Sequence, residues 1–141
     1  MTESACIFCR IVDGEAPAHI VWQDDEHVAF LDRNPVTDGH VLLIPRTHVT
    51  TIFDLDPTAY ARLFERVRVL APPVADAASA PRTALAIEGY GVAHAHVHLV
   101  PVWGAGELDP CRQAPAREDA LLEAATRLRA ALAALNSRVD G

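Results

Sequence analysis

Apolar and polar positions alternate first in "HIVWQDDEHVAFLDRNP" (19–35), where two β-rich runs, about 19–23 and 27–32, flank the acidic triplet Asp24-Asp25-Glu26. Alternation broken by a short polar turn predicts a hairpin. Asn34-Pro35 and Asp38-Gly39 mark a further turn, and the apolar run "HVLLIPR" predicts a third strand over 40–46. The period then changes. Asp56-Pro57 has the form of an N-cap followed by a first-turn proline. Leu63, Phe64, Val67 and Leu70 recur at helical spacing, which predicts a helix over 57–70 ending at Pro72-Pro73. An alanine- and proline-rich loop (72–82) leads to a fourth strand over 83–89 and a fifth over about 93–101. The stretch after Pro101 is rich in glycine and proline and predicts a loop. In the last segment Leu121, Ala125, Leu128, Leu132 and Leu135 mark one face of a closing helix. Hairpin chemistry with one central and one terminal helix defines an antiparallel α+β domain.

The fifth predicted strand carries an anomaly. "GVAHAHVHLVPVW" (91–103) sets His94, His96 and His98 two residues apart in an otherwise apolar run. In a strand, residues two apart share a face at a spacing of roughly 6.6–6.8 Å, so the three imidazoles line one side while Ala95, Val97 and Leu99 pack on the other. Burying three imidazoles is costly unless each ring nitrogen has a partner. Three readings compete: a satisfied or solvent-facing stripe, a metal site using all three rings, and phosphoryl or nucleotidyl transfer by an attacking imidazole with donor neighbours. The third is favoured. It requires a nucleophile neutral at one nitrogen, with the other donating to a fixed acceptor such as a backbone carbonyl. Neighbouring histidines, with an ordinary pKa of about 6.5, are then expected to neutralise phosphate and protonate a leaving group.

Composition narrows the partners. The 141 residues, 50% hydrophobic, suffice for one core, and the formal charge is −7 with no basic block. Nucleic-acid binding is therefore not expected. No apolar run reaches the ~18–20 residues needed to span a bilayer, and the first fifteen residues lack the apolar core of a signal peptide. A cytoplasmic protein without membrane association is expected. Cys6 and Cys9 form a CxxC and Cys111 stands alone, which does not suggest a secreted disulfide framework. CxxC by itself leaves two readings open, a metal site and a pair of thiols. His19 and His27 are expected at the surface, and Asp24, Asp25 and Glu26 in a solvated turn. Trp103 is expected at a subunit interface, on the leaving-group side, or as an anchor of its loop.

"HAHVHLV" (94–100) fits His-φ-His-φ-His-φ-φ, φ being apolar, and the chain resembles the histidine triad (HIT) superfamily. The segment "IFCRIVDGEAPAHIVWQDDEHVAFLDRNPVTDGHVLLIPRTHV" (7–49) is similar to that family's N-terminal half nearly end to end. The resemblance covers about residues 5–103. It implies a single HIT-like domain over 1–141, with 1–105 as its core and 106–141 a loop plus the C-terminal helix. The implied fold is a five-stranded antiparallel sheet with two main helices, dimerising into a ten-stranded sheet.

The implied activity is hydrolysis or transfer at the α-phosphate of a purine nucleotide conjugate, through a nucleotidyl-histidine intermediate. His96 would be the nucleophile, His98 would contact phosphate, and His40 would sit beside them. Asp32 would bind the ribose hydroxyls, and Ile7, Phe8, Ile11 and Phe30 would surround the base, although without the resemblance these four read as plain core. Some bacterial members pair the CxxC with two histidines; here Cys6, Cys9, His48 and His94 would hold a structural zinc, and no organic cofactor is implied. One departure stands out: Tyr90 and Gly91 occupy the positions of the family's Gln and Ser or Thr. Leaving-group contacts are expected to differ accordingly. The competing classes are a nucleotide sensor with little turnover and a zinc enzyme centred on the triad.

Overall fold

A computed structural model describes the backbone of residues 5–140 and the side chains of residues 5–135. Residues 1–4 and 141, the ends of the expected 1–141 domain, lie outside the described residues. A short helix α1 (Ile7–Val12) precedes β1 (Ile20–Gln23), β2 (His27–Leu31) and β3 (Val41–Pro45). Then come α2 (Pro57–Ala77), β4 (Arg82–Ala86), β5 (Val97–Val102) and α3 (Glu118–Asp140). The strands form one five-stranded sheet in the order β1-β2-β3-β5-β4, every pair antiparallel. The α+β class and the five-stranded antiparallel sheet are as expected.

Strand alternation gives the sheet two different faces. Ala29, Leu31, Val41, Leu43, Val97 and Leu99 pack with Leu63, Val67, Leu70 and Val74 of α2 and with Leu121, Ala125, Leu128 and Leu132 of α3. Val28, Phe30, Leu42 and Ile44 face the other way, against Cys6, Phe8, Cys9 and Ile11. The chemistry lies on this second face, which one short helix covers only in part. No helix among the described residues is long and apolar enough to cross a membrane.

Three boundaries differ from the predicted ones by more than a residue. The helix predicted to stop at residue 70 runs to Ala77, through Pro72 and Pro73. Neither proline can donate to the carbonyl four residues back, yet Pro73, Val74 and Ala75 are buried, and Val74 joins the core that α3 completes. Tertiary packing thus overrides the local break. β4 ends at Ala86 rather than 89, ahead of Gly89 and Gly91, which adopt φ of 90° and 89°. β5 begins at Val97 rather than 93, because the backbone ahead of it is engaged elsewhere: Ala95 N–H donates to the Val49 carbonyl at 2.7 Å. Helix α1 was not predicted. It is six residues long, and Cys6 caps it, the sulfur accepting from Cys9 N–H at 3.4 Å.

Candidate functional site

Although only His98 lies within β5, the predicted alternation persists along 94–99 in direction. Ala95, Val97 and Leu99 enter the helix-facing core. On the opposite face the Phe8 ring packs edge-on against His94 and His96, at centroid separations of 5.9 and 5.4 Å. The His96 and His98 rings lie 5.2 Å apart. The three histidines then divide between two sites.

His96 and His98 line a cavity of about 690 Å³ together with His40, Asp32, Ile7, Phe8, Ile11 and Phe30. Every residue assigned by resemblance to the reaction or to the nucleotide therefore borders one space. Gly39, at φ 95°, a backbone conformation that favours glycine, turns the chain immediately ahead of His40. Asp32 follows β2, and its carboxylate is oriented by accepting Asn34 N–H at 2.8 Å. Burial raises the pKa of Asp32, opposed by the Asn34 hydrogen bond and by His96.

Proton accounting assigns the ring tautomers. His40 Nδ1 accepts from Val36 N–H at 3.1 Å, so its proton is on Nε2. That proton is donated to His98 Nδ1 at 2.9 Å, which leaves His98 with Nε2–H as a donor. His96 Nδ1–H donates to the His94 carbonyl at 2.7 Å, leaving an unprotonated Nε2. The acceptor required for a nucleophilic imidazole is thus a backbone carbonyl. Burial, with the neighbouring His98, pushes the pKa of His40 down to about 3; burial, with His96, pushes that of His98 down to about 4. Both are therefore neutral near pH 7, which corrects the expectation of charged neighbours. The 3.6 Å approach of His40 Nε2 to Asp32 is accordingly no ion pair. Asp32, His40 and His98 are close enough to share a cation, but the Nε2 of His40 carries a proton already used by His98, so the two histidines form a hydrogen-bonded relay beside Asp32.

His94 turns into the second site. Its Nε2–H donates to the Pro45 carbonyl at 2.8 Å, so the Nδ1 lone pair faces Cys6 Sγ at 3.4 Å and Cys9 Sγ at 3.5 Å. His48 Nδ1 lies 3.1 Å from Cys9 Sγ. The four ligand atoms all fall within 4.8 Å of one another. A tetrahedral zinc with ordinary bond lengths places sulfur and nitrogen about 3.5 Å apart. The donor set and its edges therefore fit zinc, and the fixed His94 tautomer is what a ligating imidazole needs. Among the described residues the three triad rings do not gather at one metal position.

Other expectations are corrected. His27 is not at the surface: it is 3% exposed, with Nδ1 3.0 Å from Asp24. Asp24 is no idle member of a solvated turn either, because it also receives Arg66 Nε at 2.9 Å. His19 meets Glu118 at 2.7 Å, and Trp103 is half exposed. The sequence reading missed Leu108, Pro110 and Gln113, which border the cavity from the segment read as a plain loop. Gln113 donates to the Asn34 carbonyl at 3.0 Å and approaches Asp32 at 3.4 Å. Asp109-Pro110 was the available turn signal, since Asp109 caps a 3-10 turn there; nothing in the pattern says what that turn covers.

The fold of the chain is that of solved structures of histidine triad proteins. A Zn-bound histidine triad family protein from Mycobacterium smegmatis superposes with a TM-score of 0.83 at 33% identity, covering 97% of this chain and 99% of that one. An uncharacterized HIT-like protein of Mycobacterium tuberculosis is 34% identical over 134 residues, 91% of this chain and 93% of its own. The adenylylsulfatase HINT3 of Arabidopsis thaliana is 29% identical over 104 residues, 70% of this chain and 53% of its own. The HIT domain profile matches residues 13–103, and the chain belongs to the HIT family. Membership supports a nucleotide hydrolase or transferase at a general level.

Proposed function

We propose that the protein cleaves nucleotide conjugates at the α-phosphorus through a nucleotidyl intermediate on His96. The observation that carries this reading is the 2.7 Å hydrogen bond from His96 Nδ1 to the His94 carbonyl, which leaves the Nε2 lone pair of a cavity-lining ring to attack. Attack forms a phosphorus–nitrogen bond and releases the leaving group; water then breaks that bond and frees the mononucleotide. His98 Nε2–H donates to a phosphate oxygen, and His40 holds His98 in the tautomer that can do so. Asp32 takes the ribose hydroxyls, with Ile7, Phe8, Ile11 and Phe30 around a purine. A relative named for adenylylsulfate cleavage, a reaction on an AMP conjugate, supports the substrate class.

Cys6, Cys9, His48 and His94 would hold a structural zinc; with four protein ligands such an ion has no open position and supplies no Lewis acid to the substrate. A reducing cytoplasm suits two ligand thiols. The working form is a homodimer, supported by β4, whose outer edge has no partner strand among the described residues and carries the exposed Leu85.

The test is AMP release from adenosine 5′-phosphoramidate and from diadenosine polyphosphates, followed by chromatography. His96→Ala is expected to lower turnover by at least about 10⁴-fold with the fold unchanged by circular dichroism; undiminished release would remove His96 from its role. One observation favours a weak-turnover nucleotide sensor: Tyr90, standing where the family has a leaving-group contact, is 80% exposed. Tight AMP binding with no release from either substrate class would select that reading.

A further inference from the structure

We propose that the Cys6, Cys9, His48 and His94 site and the nucleotide cavity are one coupled unit, in which zinc and nucleotide bind with positive linkage and His94 is the positioning residue between them. The inference rests on the nucleotide reading above and adds a regulation of that site.

Two connections carry it. The first is His94, which serves both sites through different atoms. Its ring Nδ1 faces the two sulfurs at 3.4 and 3.5 Å, and its Nε2–H is tied to the Pro45 carbonyl at 2.8 Å. Its backbone carbonyl accepts the Nδ1–H of His96 at 2.7 Å. A metal on Nδ1 would complete a ring held at both nitrogens, and so would hold the carbonyl that keeps the His96 Nε2 lone pair available. Without it, the carbonyl is held by its neighbours alone.

The second connection is α1. Six residues are far fewer than the roughly 12–15 an isolated helix needs to persist in water, so its place depends on what anchors it. Two anchors are Cys6, its cap, and Cys9. Ile7, Phe8 and Ile11 of the same helix border the cavity, and the Phe8 ring meets Phe30 at 5.3 Å and His96 at 5.4 Å. Ligation of the two sulfurs therefore fixes the wall assigned to the base at the same time as the nucleophile. Preorganisation of this kind strengthens ligand binding by removing ordering costs, and linkage requires the nucleotide to strengthen zinc binding by the same factor.

The experiment uses the zinc-loaded full chain. Zinc affinity is measured by competition with a chromophoric chelator, alone, with saturating AMP, and with inorganic phosphate as a control for phosphate binding the metal. AMP is expected to tighten zinc about fivefold or more, with inorganic phosphate without effect. In the reciprocal arm, calorimetry is expected to show AMP affinity falling by the same factor in the zinc-stripped protein. A ¹⁵N-edited spectrum adds a readout that general loosening would not select: the His96 Nδ1–H signal, assigned by its loss in His96→Asn, is expected to be protected in the loaded protein and to disappear on stripping. If stripping unfolds the chain, the competition arm, which starts from loaded protein, still decides. Equal zinc affinity with and without bound AMP would overturn the linkage while leaving the nucleotide reading intact; failure of AMP to bind the loaded protein would overturn both.

Discussion

At the scale of single residues, the site is a matter of where protons sit. Two carbonyls and one amide, those of His94, Pro45 and Val36, settle the rings of His96, His94 and His40, and His40 in turn settles His98. The cysteines and histidines of the two clusters were legible in the sequence as residue types; which backbone group fixes each ring was not, because backbone groups leave no signature in side-chain pattern. His27 was misread for a related reason: it is tied to Asp24, which in turn receives Arg66 of α2, a contact between elements that the pattern along the hairpin does not show. The shifts of His40 and His98 give a prediction of definite sign. Their folded pKa values, about 3 and about 4, lie below the unfolded value of about 6.5. The unfolded chain therefore binds more protons as pH falls, and the stability these neutral rings contribute is full above about pH 6.5 and is lost on acidification toward the folded values. The carbon-bound ring protons of His40 and His98 are expected not to titrate between pH 7.5 and 5.5 in NMR spectra of the nucleotide-free protein. A midpoint near 6.5 for either would break the proposed relay.

At the scale of elements, what alternates or repeats was readable and what is held by distant contacts was not. All five strands were predicted, and the face assignment of 94–99 survived although its first three residues are not in a ladder, since direction depends only on extended backbone. Helix α1 was invisible, being too short for any period and fixed by its cysteine cap. The misplaced end of α2 shows propensity losing to packing. Its two prolines are not equivalent: Pro73 is buried and Pro72 is exposed, so replacing Pro72 removes no core contact. Alanine gains about 3 kcal/mol over proline in a helix interior, set against up to about 1 kcal/mol from a freer unfolded chain. Pro72→Ala is expected to stabilise the protein by about 2 kcal/mol, and calorimetry should show a Tm several degrees higher. An unchanged or lower Tm would mean that the helix is already relaxed around the proline.

For the whole molecule, charge and edges set the terms of the proposed homodimer. Each chain carries −7 at neutral pH, so two copies repel and an apolar surface has to supply the attraction. β4 is the edge that offers one, with Leu85 42% exposed and Trp103, just beyond the end of the neighbouring β5, 49% exposed. An open edge strand invites pairing, and β4 carries one charge, Arg82, at its start; pairing of its remaining length through a two-fold axis would satisfy it and extend the sheet to ten strands. Two measurable consequences follow from the opposition of these terms. Raising the ionic strength from about 0.01 to 0.15 M shortens the screening length from about 30 to about 8 Å, which weakens the repulsion and leaves the apolar contact intact. Sedimentation should therefore show a dimer of two 15.2 kDa chains that tightens as salt is added, the reverse of an assembly held by ion pairs. Leu85→Arg brings two symmetry-related cations to this edge and removes apolar area, and is expected to shift the protein to monomer at micromolar concentration while each chain keeps its sheet. Wild-type protein that sediments as a monomer at tens of micromolar in 0.15 M salt would rule out this edge as a stable interface.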